Sequence, residues 1–269
     1  MTRKLELHAD RLFPAEPGVR ALARELYREV AGLPIVSPHG HTDPAWFARN
    51  EPFGNASELL LQPDHYVLRM LYSQGVPMAD LIGEEADPRA AWRLFAERYH
   101  LFHGTPSRIW LDWVFSAAFG IDVRLGADIP MRTEYVHALK PLLDRFGNAA
   151  GFTLILFTLD ESAYARELAP LAGHYPCLRL GPAWWFHDSP EGMRRFRRMT
   201  TETAGFFNTV GFNDDTRAFL SIPARHDLAR RIDCGFLAEL VAEHRLELDE
   251  AHEVARALAY DLAKAAYRL

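Results

Sequence analysis

Leu33-Pro34-Ile35-Val36-Ser37-Pro38-His39-Gly40-His41-Thr42-Asp43-Pro44 is where the fold of this chain declares itself. Residues 33–37 read as a short buried strand. Residues 38–44 are too rich in Pro and Gly to continue a strand or a helix, so they form a loop at a strand's C-terminal end. That is where α/β folds place their chemistry. Upstream, Val19, Leu22, Ala23, Leu26 and Val30 recur at helical spacing between Pro17 and Gly32, which marks a helix before the strand. His39 and His41 stand at i and i+2 on extended backbone, so both imidazoles face one side and can reach one divalent ion. Gly40 between them obstructs nothing. The competing reading is two polar loop histidines that cap the next helix.

Working outward, helical signals fill residues 58–135, including 90–99 and 107–119. Trp110, Trp113, Phe115 and Phe119 read as a core-packing stripe. An amphipathic helix is expected at 133–146. Residues 152–157 (FTLILF) form an apolar strand of the kind buried on both faces of a parallel sheet. A helix at 161–173, a strand at 177–181, a helix at 190–203, a strand at 206–210 and two long helices follow. The alternation predicts an α/β class with a parallel sheet and crossover helices, with four strands recognised in all.

A second polar loop, Gly211-Phe212-Asn213-Asp214-Asp215-Thr216-Arg217, directly follows an expected strand. An Asp there can complete a site begun by two imidazoles, and Asp-x-Arg sets a carboxylate beside an anion-binding guanidinium. Alternatively, Asp214 or Asp215 caps a helix. Asp64-His65-Tyr66, with Arg69 one turn on, stands where a helix begins; a Tyr near a cation loses its proton more readily, though packing is the competing role. Trp184-Trp185-Phe186 reads either as a wall for a sugar-like substrate or as packing over the end of the sheet.

The chain has 269 residues, 36 acidic and 30 basic (Lys and Arg), for a formal net charge of −6. That balance argues against a nucleic-acid binder working through net charge, and the arginines at 194–198 read as a charged helix face. Two cysteines are too few for a disulfide scaffold and suit a reducing compartment. No apolar run reaches the length of about 20 residues that spans a bilayer, and the N-terminus lacks a secretory pattern, so the expected location is cytoplasmic. Phosphate-loop, dinucleotide and nucleophile-elbow motifs are absent.

Segments 35–47 (IVSPHGHTDPAWF), 63–75 (PDHYVLRMLYSQG), 99–113, 178–188 (LRLGPAWWFHD), 211–226 (GFNDDTRAFLSIPARH) and the C-terminal helix together resemble the uronate (glucuronate) isomerase family of the metal-dependent amidohydrolase superfamily. The resemblance implies a distorted or incomplete (β/α)8 TIM-like barrel with an extra N-terminal helical region. It implies one metal-dependent domain over 1–269, with a helical insertion at about 55–125. Residues 123–125 and 126–132 are adjacent here but separated in the family, which implies an internal deletion at 125/126. The missing stretch resembles what supplies several middle strands and two substrate loops.

The implied reaction interconverts D-glucuronate with D-fructuronate, and D-galacturonate with D-tagaturonate, through a cis-enediol. By resemblance, His39, His41 and Asp215 are metal ligands, and Tyr66, Asp215 and Arg217 are catalytic. His65, Arg69, Trp184, Trp185 and Arg217 bind substrate. The implied cofactor is a divalent metal, Zn or Mn, and the implied partner is a hexuronate, with no nucleic acid or membrane; a homo-oligomer is compatible. A catalytically inactive shortened relative that keeps the metal site, and a metal-dependent hydrolase of the same superfamily, are the alternatives.

Overall fold

Five helices start with the same device, a side-chain acceptor followed by Pro. Glu16, Asp43, Asp87, Thr105 and Ser189 each accept a hydrogen bond from a backbone N–H of the following first turn. The Pro after each needs no donor there and already has a helical φ. The computed structural model of the chain describes residues 5–51, 53–83, 85–119, 136, 139–149, 151–158, 161–184 and 188–269. Along them run α1 (Pro17–Val30), α2 (Pro44–Arg49), a π-helical turn (Ser57–Leu61), α3 (His65–Ser73), α4 (Pro88–Glu97) and α5 (Pro106–Trp113), which continues as a π-helical turn (Val114–Ala118). Then come α6 (Lys140–Phe146), β1 (Leu154–Thr158), α7 (Glu161–Ala172), β2 (Leu178–Ala183), α8 (Pro190–Ala204) and α9 (Ser221–Ala242). The chain ends with α10 (Leu248–Arg256), a π-helical turn (Ala257–Asp261) and α11 (Leu262–Tyr267).

The chain divides into two compact units. The first comprises Met1–Ala9, His39–Ile129 and Asp215–Arg225. Its core is aromatic: Phe95 is fully buried and meets Trp92, Tyr99 and Phe102 edge-on at ring separations of 5.2–6.0 Å. Trp110 and Phe115 are buried with it, so this part of the aromatic stripe is core.

The second unit comprises Asp10–Pro38, Pro130–Asp214 and His226–Leu269. β1 and β2 pair in parallel, Leu154 opposite Leu178 and Leu156 opposite Leu180. Leu156, Leu178 and Leu180 pack with Tyr164, Leu168 and Phe196 of the flanking helices α7 and α8. A second cluster joins α1, α9, α10 and the π-helical turn after it through Leu26, Val30, Leu237, Val254 and Leu258. Gly211 has φ +70°, and a Cβ there would lie 2.3 Å from the Leu258 carbonyl oxygen, so only Gly fits that approach.

Two expected strands are corrected. Residues 33–37 form no ladder. Pro34 and Pro38 lack N–H donors, the Leu33 N–H donates back to Val30, and Arg230 donates to the carbonyls of Ala31 and Pro34 at 3.0 and 3.1 Å. With the Ala31 and Pro34 carbonyls taken by a side chain, the segment joins no sheet, and Ile35 is 41% exposed. Residues 206–210 shrink to a single parallel bridge, Leu180 to Thr209. The start of that segment is a turn: the N–H and hydroxyl of Thr209 both donate to the Phe206 carbonyl, and the Asn208 amide donates to Ala204. The described residues therefore hold a mainly helical fold with a two-stranded sheet, and a closed barrel is not formed among them. The expected helix 133–146 is described only from Leu139, as α6, and the join at 125/126 lies outside the described residues.

Candidate metal centre and active site

The three candidate residues that the two polar loops supply meet in the first unit. Asp215 Oδ1 lies 3.2 Å from His39 Nε2 and 3.1 Å from His41 Nε2, and ligand atoms of all three fall within 4.8 Å of one another. Local structure explains the convergence. His39 and His41 lie in irregular backbone between Pro38 and Pro44, and the His41 N–H donates to the Thr216 carbonyl at 3.0 Å, which staples the two loops together. Gly40 approaches that same carbonyl. Asp43, rather than either histidine, caps α2. Asp215 is buried and no helix starts beside it; in its loop the Ala218 N–H donates to Thr216 Oγ1.

The donor set fits a divalent cation. Donor atoms about 2.0–2.1 Å from one ion lie about 2.9–3.4 Å apart in octahedral or tetrahedral arrangement, and the two N···O separations fall in that range. Two imidazoles and one carboxylate leave coordination positions open.

Beside this triad stands the first turn of α3. Asp64 caps it, its Oδ1 accepting from the N–H groups of Tyr66 (2.9 Å) and Val67 (3.3 Å). Burial pushes the Asp64 carboxyl up to about 6, against the pull of those bonds and of Arg225. His65 is pushed down to about 4, first by burial, then by the positive charges of Arg217, Arg69 and Arg225 and by His41, so its imidazole is neutral at pH 7. Tyr66 is buried, its ring 4.3 Å from that of His65 and edge-on to Trp110 at 6.1 Å. Arg217 is exposed, beyond the buried Asp215. The environment is thus a triad that could hold a metal ion, with several guanidinium charges acting on the start of α3, which favours an anionic ligand.

Trp184 belongs to the second unit, where its ring stacks on Phe157 at 3.8 Å and 16° and its backbone N–H donates to the Thr158 carbonyl. Trp185 lies outside the described residues. Sequence reasoning gave no role to Arg225, a fully buried guanidinium 4.0 Å above the Trp110 ring. Nothing in its local sequence pattern marks it off from an ordinary helix arginine. The Asp64 cap did carry a signal, an Asp directly before a helical run.

The chain matches the sequence profile of the glucuronate isomerase family in two stretches, residues 18–129 and 118–267. The uronate isomerase of Rhizorhabdus wittichii is 44% identical over 461 residues, covering 98% of this chain and 99% of that one. The uronate isomerase of Sphingopyxis alaskensis is 43% identical over 470 residues, covering both chains completely. These alignments outrun the 269 residues of this chain, which is shorter than its relatives of about 470. Among solved structures, glucuronate isomerase from Caulobacter crescentus superposes with a TM-score of 0.94 at 37% identity, covering 99% of this chain and 98% of that one. Uronate isomerase from Thermotoga maritima, at 15% identity, shares the fold with a TM-score of 0.79. On these matches, over nearly its whole length, the chain belongs to the glucuronate isomerase family.

Proposed function

We propose that the chain is a uronate isomerase that interconverts an aldose uronate and its ketose, D-glucuronate with D-fructuronate and D-galacturonate with D-tagaturonate. The observation that carries the reading is the meeting of His39, His41 and Asp215 within one compact unit, in a chain of this family. The fold is read as what remains of a distorted (β/α)8 barrel, one domain with a helical region at about 55–125 and a join at 125/126. The two overlapping stretches of the family match meet around that join. The free thiols of Cys177 and Cys234 suit the cytoplasm, and no described helix is long and apolar enough to cross a membrane.

Moving the carbonyl from C1 to C2 requires a proton taken from C2 and returned to C1, while a hydroxyl proton passes from O2 to O1. Tyr66 is assigned the carbon-bound proton, as phenolate acceptor and then phenol donor. Positive charge from Arg217 and Arg225 favours its phenolate and the negative charge that grows on the enediol oxygens. His65, neutral at pH 7, hydrogen-bonds substrate without adding charge, and Arg217 and Arg69 hold the carboxylate. Trp184 and Trp185 are assigned to the sugar face. Asp215 accepts a hydroxyl proton during ring opening. His39, His41 and Asp215 would hold a divalent ion, zinc or manganese by donor set, whose charge orients substrate oxygens when bound.

The test is conversion of D-glucuronate by the metal-loaded protein and by its Tyr66→Phe variant. Turnover in the parent, its loss in Tyr66→Phe and equal metal content in both are expected. Near-normal rates in Tyr66→Phe would remove the shuttle assignment. Bound metal with no turnover in the parent would favour an inactive relative, and hydrolysis of a lactone or amide without isomerisation would favour a hydrolase.

A further inference from the structure

Arg225 is among the largest fully buried side chains of the molecule, at 1% exposure. Removing a guanidinium from water costs several kcal/mol, and an apolar side chain of similar volume packs a core more cheaply. The surroundings show what the charge meets. Its Cζ lies 4.0 Å from the Trp110 ring centroid and 5.9 Å from that of Tyr66, and its charge stabilises the Asp64 carboxylate. These three groups frame the first turn of α3: Asp64 caps it, Tyr66 is its second residue, and Trp110 of α5 flanks the Tyr66 ring.

We propose that Arg225 is a positioning residue for Tyr66: through Trp110 and Asp64 it fixes the start of α3, and its charge facing the Tyr66 ring favours the phenolate. The proposal rests on the reading of Tyr66 as the proton carrier. The other groups bearing on this turn are Asp64, His65 and Arg69 of the same segment, and Arg217 and His41 of the polar loops. Of the arginines among them, Arg225 is the buried one, and low local polarisability makes its charge act more strongly than an exposed one.

The experiment compares the metal-loaded parent with Arg225→Met and Arg225→Lys in two readouts. One is kcat and KM for D-glucuronate. The other is the tyrosinate absorbance titration, in which the step missing from Tyr66→Phe belongs to Tyr66. Arg225→Met should move that step up by about one pH unit or more, and lower kcat about tenfold with KM changed by less than about threefold. Arg225→Lys keeps the charge without the planar stack, so the step should stay within about half a unit of the parent while kcat falls severalfold. A step unmoved in Arg225→Met overturns the proposal. Should circular dichroism show that Arg225→Met does not fold, parental kcat in Arg225→Lys overturns it instead. Turnover retained by Tyr66→Phe is a separate failure that sinks the shuttle reading, whatever the titration shows.

Discussion

His65 and Asp64 are neighbours whose ionisations oppose each other. Burial and nearby cations hold the folded His65 at about 4 against an ordinary 6.5, so the unfolded chain binds a proton that the folded one refuses between those values. Its contribution is full above about pH 6.5 and is lost as pH falls toward 4. Burial raises folded Asp64 from 3.8 to about 6, so its contribution is greatest below about pH 4 and is lost as pH rises through 6. The two slopes offset each other between about pH 4 and 6. His65→Gln removes one of them, so the melting temperature of the parent minus that of the variant should grow as pH rises from 4 to 6.5. A constant difference across thermal melts in that window would show that His65 titrates normally in the folded protein. The site was partly legible at this scale: an H-x-H and a D-x-R after apolar runs are patterns of residue type. The role of Arg225 was not, because what matters about it is burial against Trp110 and Tyr66, residues far away in sequence.

Helices with their own caps were read closely from sequence, and so were the strands expected at 152–157 and 177–181, which are β1 and β2; two other expected strands were not. The helices expected at 17–32 and 190–203 are α1 and α8, because Glu16-Pro17 and Ser189-Pro190 fix their starts by capping. The strand expected at 33–37 does not form, with Arg230 on the Pro34 carbonyl, and the one expected at 206–210 keeps only a bridge beside Leu180 because the turn at Phe206 takes its start. The turn into the second polar loop depends equally on tertiary fit. Gly211→Ala puts a Cβ into the Leu258 carbonyl and strains a positive φ, and should cost about 2–4 kcal/mol. Urea denaturation of the parent and variant measures this; a difference under about 0.5 kcal/mol would mean the backbone relaxes at no cost.

At the scale of the whole molecule, the chain is much shorter than its relatives of about 470 residues, and its described sheet has two strands. All three candidate ligands nevertheless fall in one compact unit, so the residues present supply a three-donor set that could hold a divalent ion. A ligand that binds only the folded state stabilises it by mass action. Chelation should therefore lower the melting temperature of the parent, with no effect on Asp215→Ala, whose melt serves as the control. The most direct measurement is metal content per chain, taken on the same sample that is assayed with D-glucuronate. The account predicts about one divalent ion per chain, retained through dialysis and lost in Asp215→Ala, together with formation of the keto-uronate. A parent that retains no metal above the Asp215→Ala background and forms no keto-uronate would contradict it.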